Sequence, residues 1–210
     1  MRILVVDDHS VVREGLKQIL AEAFSSVEFG FAMNAAEAME LVKKKTWDVA
    51  IFDISLPGRS GLELLKDVKA LKPKIPVLIH SMHAEDEFAV RALKAGASGY
   101  LSKSEMPDEI VKAIHKVTNG GKFVSASLAE KLASYVQDND KKLPHEKLSD
   151  REYQILLMIA SGKTSTEIAD DLSLSIKTIS TFRARILEKM NLKTNADLIY
   201  YVIEHKLKQT

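Results

Sequence analysis

The sequence predicts an α/β chain: a doubly wound, five-stranded parallel sheet over residues 1–122, then a small all-α domain of four helices. Three observations carry this. Five short apolar runs alternate with five helical stretches in the first part, the signature of repeated βαβ units. Val49 to Phe52 is apolar on both faces, as a strand buried between two helical layers is, and stops at Asp53. Beyond Lys147 four helix starts are marked by capping residues.

The elements justify themselves in order. Arg2 to Val6 is the first strand and ends in Asp7 and Asp8. Ser10 can cap the helix that follows, which carries Val12, Leu16, Ile19 and Leu20 on one face. Val27 to Ala32 is the second strand, and Asn34 with Glu37 opens the next helix. Val49 to Phe52 is the third strand and stops at Asp53. Pro57 and Gly58 mark a loop after it, and Ser60 with Glu63 has the spacing of a capping box. Pro76 introduces Val77 to Ile79, tipped by His80 and Ser81. A helix around Glu85 to Ala95 stops at Gly96. Ser98 to Leu101 is the fifth strand, running out at Lys103, and Pro107 lies in the first turn of the last helix of this part.

Residues 123–146 read as a joint. Ser127 with Glu130 caps a short helix from Leu128 to about Val136, and Gln137 to Lys147 is polar, contains Pro144 and has no period, as a flexible linker would. Residues 147–210 form the second domain. Its helices open at Ser149 with Glu152, at Thr164 with Glu167, at Ser175 and at Thr194. The second and third, separated by Ser173 and Leu174, make a helix-turn-helix, whose second member normally enters the major groove of double-stranded DNA.

Composition limits the functions open to the chain. Cysteine is absent, which excludes disulfides and thiolate metal sites and fits a reducing cytosol. No apolar run approaches the roughly 18 residues that span a bilayer, and Ile3 to Val6 meets Asp7 too early for a signal peptide. The expectation is a cytoplasmic chain without membrane contact. The net charge of +1 conceals a basic stripe: Lys177, Arg183, Arg185, Lys189 and Lys193 stand against Glu188 alone between residues 177 and 193. Such a stripe suits phosphate-backbone contact.

In a doubly wound sheet all carboxyl ends share one edge, so Asp7, Asp8, Asp53, Ser81 and Lys103 are brought together there. A single aspartate after a strand is more often a loop cap. The set is more telling. Three carboxylates repel one another unless a cation is present, and oxygen donors suit Mg²⁺. With the ion in place one carboxylate can accept a phosphoryl group, Lys103 can pair with its oxygens and Ser81 can offer a hydroxyl hydrogen bond. No GxGxxG or GxxxxGK[ST] run supports a nucleotide site, and His80 with His83 lacks a further His or Cys for a metal.

Asp7-Asp8 after the first strand, Asp53 followed by SLPGRSGLELL, Ser81 after PVLIH, and GASGYLSK ending at Lys103 resemble the flavodoxin-like receiver domain of two-component response regulators. The resemblance implies that Asp53 takes phosphate from a sensor histidine kinase. It also implies that Asp8, Asp53 and the Ser55 carbonyl bind Mg²⁺, with Asp7 acting through metal-bound water. Ser81 and Tyr100 match the positions that relay the change, and His83 a position that influences dephosphorylation. LSDREYQILLMIASGKTSTEIADDLSLSIKTISTFRARILEKMNLKTNADLIYYVIEHKL resembles the LuxR-type helix-turn-helix. The two together are the arrangement of the NarL/FixJ subfamily, which implies transcription regulation by homodimers on paired half-sites. The helix from Thr194 to Lys206 would contribute to dimer contact.

On the helix from Ile176 to Met190, Ile179, Phe182 or Arg183, Ile186 and Met190 trace the buried stripe, with Lys177, Ser180, Thr181, Ala184 and Glu188 opposite. By position, Ser180, Thr181 and Ala184 would face bases, with Lys177, Thr178, Arg183, Arg185 and Lys189 near phosphates. Phe182 stands where the family often has a polar residue, so base preference does not transfer from relatives. The competing enzymatic reading is a phosphatase of the haloacid-dehalogenase type, which needs a second Asp two residues after the nucleophile; Ser55 stands there. A third reading keeps DNA binding without phosphorylation, against which the full acidic set argues.

Overall fold

Five strands, β1 (Arg2–Val6), β2 (Glu28–Ala32), β3 (Val49–Phe52), β4 (Val77–Ser81) and β5 (Gly99–Ser102), pair in parallel in the order β2-β1-β3-β4-β5. The computed structural model describes residues 1–82, 87–104, 106–125, 128–130, 143–205 and 207. Within them the chain divides into two compact units, Met1–Ala129 and Glu130–Thr210.

The register aligns Val6 with Phe52, Phe52 with Ile79, and Ile79 with Tyr100. Ladder bonds continue past the strands: Asp53 N donates to Val6 O at 2.9 Å and Lys103 N to Ser81 O at 2.7 Å. The strand tips therefore lie side by side on one edge. Ile3, Val5, Val49, Ile51, Leu78 and Leu101 meet Leu16 and Leu20 of α1 (Ser10–Ala23) and Ile110, Ile114 and Val117 of α5 (Pro107–Thr118). The alternate residues Leu4, Val6, Ala50, Phe52 and Ile79 are buried as well. They belong to the face served by α2 (Ala35–Lys44), α3 (Gly61–Leu71) and α4 (Glu87–Lys94), which adjoin one another in that order. Among the described residues no helix is long and apolar enough to cross a membrane.

Local chemistry fixes the loop that carries Asp53. Ser60 Oγ accepts the Glu63 amide at 3.2 Å while Glu63 returns a carboxylate oxygen to the Ser60 amide at 3.1 Å, so α3 starts where the spacing requires. Gly61 N reaches Ile54 O at 2.9 Å, and a Cβ on Gly61 would fall 1.8 Å from the Asp53 carbonyl oxygen. Only glycine permits this approach, and it holds the turn tightly against the end of β3.

The second unit contains α6 (Asp150–Ala160), α7 (Ser165–Leu172), α8 (Ile176–Met190) and α9 (Asn195–Glu204), around a core that includes Tyr153, Leu156, Ile168, Ile186 and Leu198. Ser149, Thr164, Ser175 and Thr194 each accept a backbone amide at the helix starts. Ser173 turns the chain between α7 and α8 in the left-handed region, φ 51°.

Three expectations change. Ser10 is the first helical residue and not the cap; His9 precedes the helix in extended conformation, and its carbonyl already accepts the Arg13 amide at 3.2 Å. Pro144–Lys147, expected to be flexible, forms a 3₁₀ turn because Glu146 bonds back to the Leu143 amide. The His145 ring is buried there, with Nδ1 2.9 Å from Tyr201 Oη. The final helix ends at Glu204 instead of Lys206. Residues 128–130 of the expected joint helix are helical. Its remaining residues 131–136, the linker residues 137–142, His83 and the Glu85 start of α4 lie outside the described residues.

Candidate functional site

Lys103 is the pivot of the strand-tip pocket. Its ammonium lies 2.6 Å from Asp7 Oδ2 and 2.9 Å from Asp53 Oδ2, and all three side chains are buried. Burial alone would lower the Lys103 pKa, but Asp53 and Asp7 outweigh it and hold the amine above its ordinary range. Asp53 moves up from the ordinary 3.8: burial raises it more than Lys103 and the Ser55 amide lower it, and Asp7 adds to the rise. Asp8 sits at the mouth, with oxygens of Asp7, Asp8 and Asp53 and a His9 nitrogen all within 4.8 Å of one another.

Three carboxylates against one ammonium leave the pocket two negative charges in excess. Asp8 Oδ1 is shielded from solvent and has no hydrogen bond. His9 Nδ1 comes within 2.9 Å of it but off the hydrogen-bonding line. A divalent cation would satisfy both the charge and the stranded oxygen. Ser81 is fully buried at the adjoining strand tip, and so is the ring of Tyr100 on β5. His80 points to the other side of β4, lining a cleft of about 230 Å³ with Val12, Leu16 and Ile110. Burial and the Lys103 charge lower its pKa to about 4, so its imidazole is neutral.

On α8, Ile179, Ile186 and Met190 are buried while Lys177, Ser180, Thr181, Ala184, Arg185 and Glu188 are exposed. Phe182, Arg183 and Thr178 are half-buried. The Ser180 and Thr181 hydroxyls bond back to the Ile176 and Lys177 carbonyls at 3.0 Å, leaving oxygen lone pairs outward. Arg183 Nε donates to Asn195 Oδ1 at 2.6 Å, and Lys189 pairs with buried Glu152 at 2.6 Å. Lys177 and Arg185 make no ion pair among the described residues.

Residues 3–115 match the family model of the response regulator receiver domain, and residues 146–202 that of the bacterial regulatory proteins of the luxR family. This chain is a response regulator. It belongs to the NarL/FixJ subfamily, in which a receiver precedes a LuxR-type DNA-binding domain, and it acts in transcription regulation. The regulator is 33% identical over 208 residues to response regulator UvrY of Escherichia coli K12, covering 99% of this chain and 95% of that protein. It is 35% identical over 206 residues to response regulator GacA of Pseudomonas aeruginosa, covering 98% and 96%. Among solved structures it resembles RcsB from Salmonella enterica serovar Typhimurium bound to promoter rprA with the phosphomimetic BeF₃⁻. That match has a TM-score of 0.63 at 25% identity and covers 96% of this chain and 98% of RcsB.

Two residues of the regulator's pocket were not singled out from sequence. His9 gives its amide to Asp7 Oδ1 at 2.9 Å and its ring to the same pocket, and Arg13 Nη1 donates to the Asp7 carbonyl at 2.7 Å. The signal for His9 was its place directly after two acids. Nothing in the sequence distinguished Arg13 from other surface cations on α1.

Proposed function

We propose that this regulator is switched by phosphorylation of Asp53 and thereby changes its dimerisation and its binding to paired DNA half-sites. The observation that carries the reading is the convergence of Asp7 and Asp53 on one buried ammonium, with Asp8 stranded beside them. Asp8, Asp53, the Ser55 carbonyl and, through water, Asp7 would hold Mg²⁺. The ion would supply charge neutralisation for phosphoryl oxygens. An Asp53 carboxylate oxygen attacks the phosphorus of a sensor kinase's phosphohistidine; the P–O bond forms as the P–N bond breaks, and the donor imidazole leaves. Lys103 pairs with the incoming oxygens, and the Ser81 hydroxyl donates to them. Tyr100, on the same strand as the lysine's approach, relays the change to the α4 and β5 face.

In the second domain Ser180, Thr181 and Ala184 read base edges, while Lys177, Thr178, Arg183, Arg185 and Lys189 serve phosphates. The place of action is the cytoplasm, where kinase and promoter DNA are both met. The chain turns over no substrate beyond the slow loss of its own phosphoryl group. Sedimentation and DNA-binding anisotropy with and without a small phosphodonor and Mg²⁺ test the reading. A larger dimer fraction or tighter half-site binding is expected for wild type and not for Asp53→Asn. Identical behaviour of phosphorylated and unphosphorylated wild type would overturn it.

A further inference from the structure

We propose that the sheet edge opposite the strand-tip pocket carries a second ligand site, a cavity beside Trp47 that takes a small organic anion with an apolar body, such as an arylalkyl carboxylate. The cavity, of about 380 Å³, is formed by the α2–β3 and α3–β4 connections. Trp47, Leu71, Pro73 and Ile75 give it an apolar wall; Lys72 and Lys74 also line it, and no acidic residue does. An apolar cavity of about 150 Å³ takes one benzene, so this volume accommodates a ring with a short chain. β3 separates Trp47 from Asp53, which puts the cavity roughly 15–20 Å from that carboxylate.

Its walls are held by specific bonds. The Trp47 indole N–H donates to Leu41 O of α2 at 3.1 Å, and the ring lies against Gly30 of β2, where a Cβ would fall 2.2 Å from Trp47 Cη2. Glycine leaves the room that clamps the ring between α2 and the sheet. The α3–β4 connection is fixed in turn: Lys69 Nζ donates to Ile75 O at 2.6 Å and to Pro73 O at 3.5 Å, and Ile75 N donates to Lys72 O at 3.2 Å. Trp47 and Ile75 are buried, while Leu71 is 46% exposed.

Charge selects the ligand. Lysines near a helix end ordinarily serve its carbonyls. Here Lys69, in the last turn of α3, already holds the carbonyls of the connection, whereas the Lys72 and Lys74 ammonium groups have no partner among the described residues. The acids of the α2–β3 side are engaged elsewhere: Glu40 with Lys44, Glu28 with Lys45, and Asp48 with the Arg2 amide at 2.6 Å. Two unpaired cations on an apolar cavity complement one carboxylate, whose body is buried while its charge meets the lysines at the solvated rim.

Titration of the full-length protein with phenylbutyrate and with uncharged phenylbutanol, followed by calorimetry and tryptophan fluorescence, tests this. Trp47 is the only tryptophan of the chain, so a saturable change in its emission reports on this cavity. Wild type should bind phenylbutyrate with a dissociation constant of about 1 mM or less, and at least about fivefold more tightly than phenylbutanol at low salt. The double variant Lys72→Gln, Lys74→Gln should bring the two probes within about twofold of each other. Leu71→Asp, at the exposed rim, should abolish the response to phenylbutyrate, and Asp53→Asn should titrate as wild type does. No saturable response below about 10 mM overturns the proposal, as does equal binding of the two probes by wild type. So does a preference that survives loss of both lysines, or binding that survives Leu71→Asp. Loss of binding in Asp53→Asn overturns it too, since the anion would then occupy the strand-tip pocket.

Discussion

The charged form of Asp53 is disfavoured in the pocket, because burial outweighs the ammonium beside it and lifts its pKa. In magnesium-free buffer at neutral pH, Asp53→Asn is therefore expected to melt at or above wild type, by up to about 1 kcal/mol. Mg²⁺ should raise the wild-type melting temperature more than that of the variant. A variant that melts well below wild type, with the same magnesium response, would mean that the carboxylate is a structural partner of Lys103 and little more. Asp7, Asp8, Asp53, Ser81 and Lys103 were legible in the sequence because each is the polar limit of an apolar run. His9 was not, because polarity marks where a strand ends without saying which following residue folds back over its tip. The 2.9 Å amide bond to Asp7 decides that, an Asx-turn that the aspartates' place at the strand end permits but does not announce.

Elements announced themselves through their caps. Ser60, Ser149, Thr164 and Thr194 with their acidic partners three residues on start helices where expected, since each capping box satisfies two amides that otherwise lack partners. Ser10 failed as a cap because the chain had already turned at His9. The division of labour along α8 was only half legible. Its buried stripe follows from period, but the Lys189 pairing with Glu152 spans 37 residues and has no local signal. Lys177→Ala and Arg185→Ala should each lower the salt slope of DNA binding by about one with every sequence affected alike. Lys189→Ala should lower the slope likewise and in addition cost about 1 kcal/mol of stability by weakening the satisfaction of buried Glu152. Equal salt slopes for all three variants and wild type would contradict this assignment.

The same pair gives the DNA-binding domain an acid limb. Burial would raise the Glu152 pKa, but the hydrogen bonds from Lys189 and Ser149 more than offset it and hold it below the ordinary 4.5. A group bound less tightly to its proton in the folded state adds stability that is complete above 4.5 and is lost as pH falls through the lowered value. Acid unfolding followed by far-ultraviolet circular dichroism should thus be flatter below pH 4.5 in Glu152→Gln, from a lower starting stability. Superimposable acid limbs would show that the pair contributes nothing.

At the scale of the whole molecule, alternation of strands and helices established the parallel sheet and its single functional edge. Apolar runs do not say which strand lies beside which, so the order β2-β1-β3-β4-β5 emerged only from the structure. That order sets the tips of β1, β3, β4 and β5 next to one another, and so turns residues from Asp7 to Lys103 into one pocket. The joint was the least legible region: polar composition suggested a free linker to Lys147, yet His145 is buried against Tyr201 at its far end. The central claim is that this pocket accepts a phosphoryl group on Asp53. Intact-mass and peptide-mapping spectrometry after incubation with a small phosphodonor tests it most directly. One added phosphoryl group on the peptide containing Asp53, dependent on Mg²⁺ and absent from Asp53→Asn, is the predicted result; modification at another residue, or an unmodified wild type at saturating Mg²⁺, would contradict it.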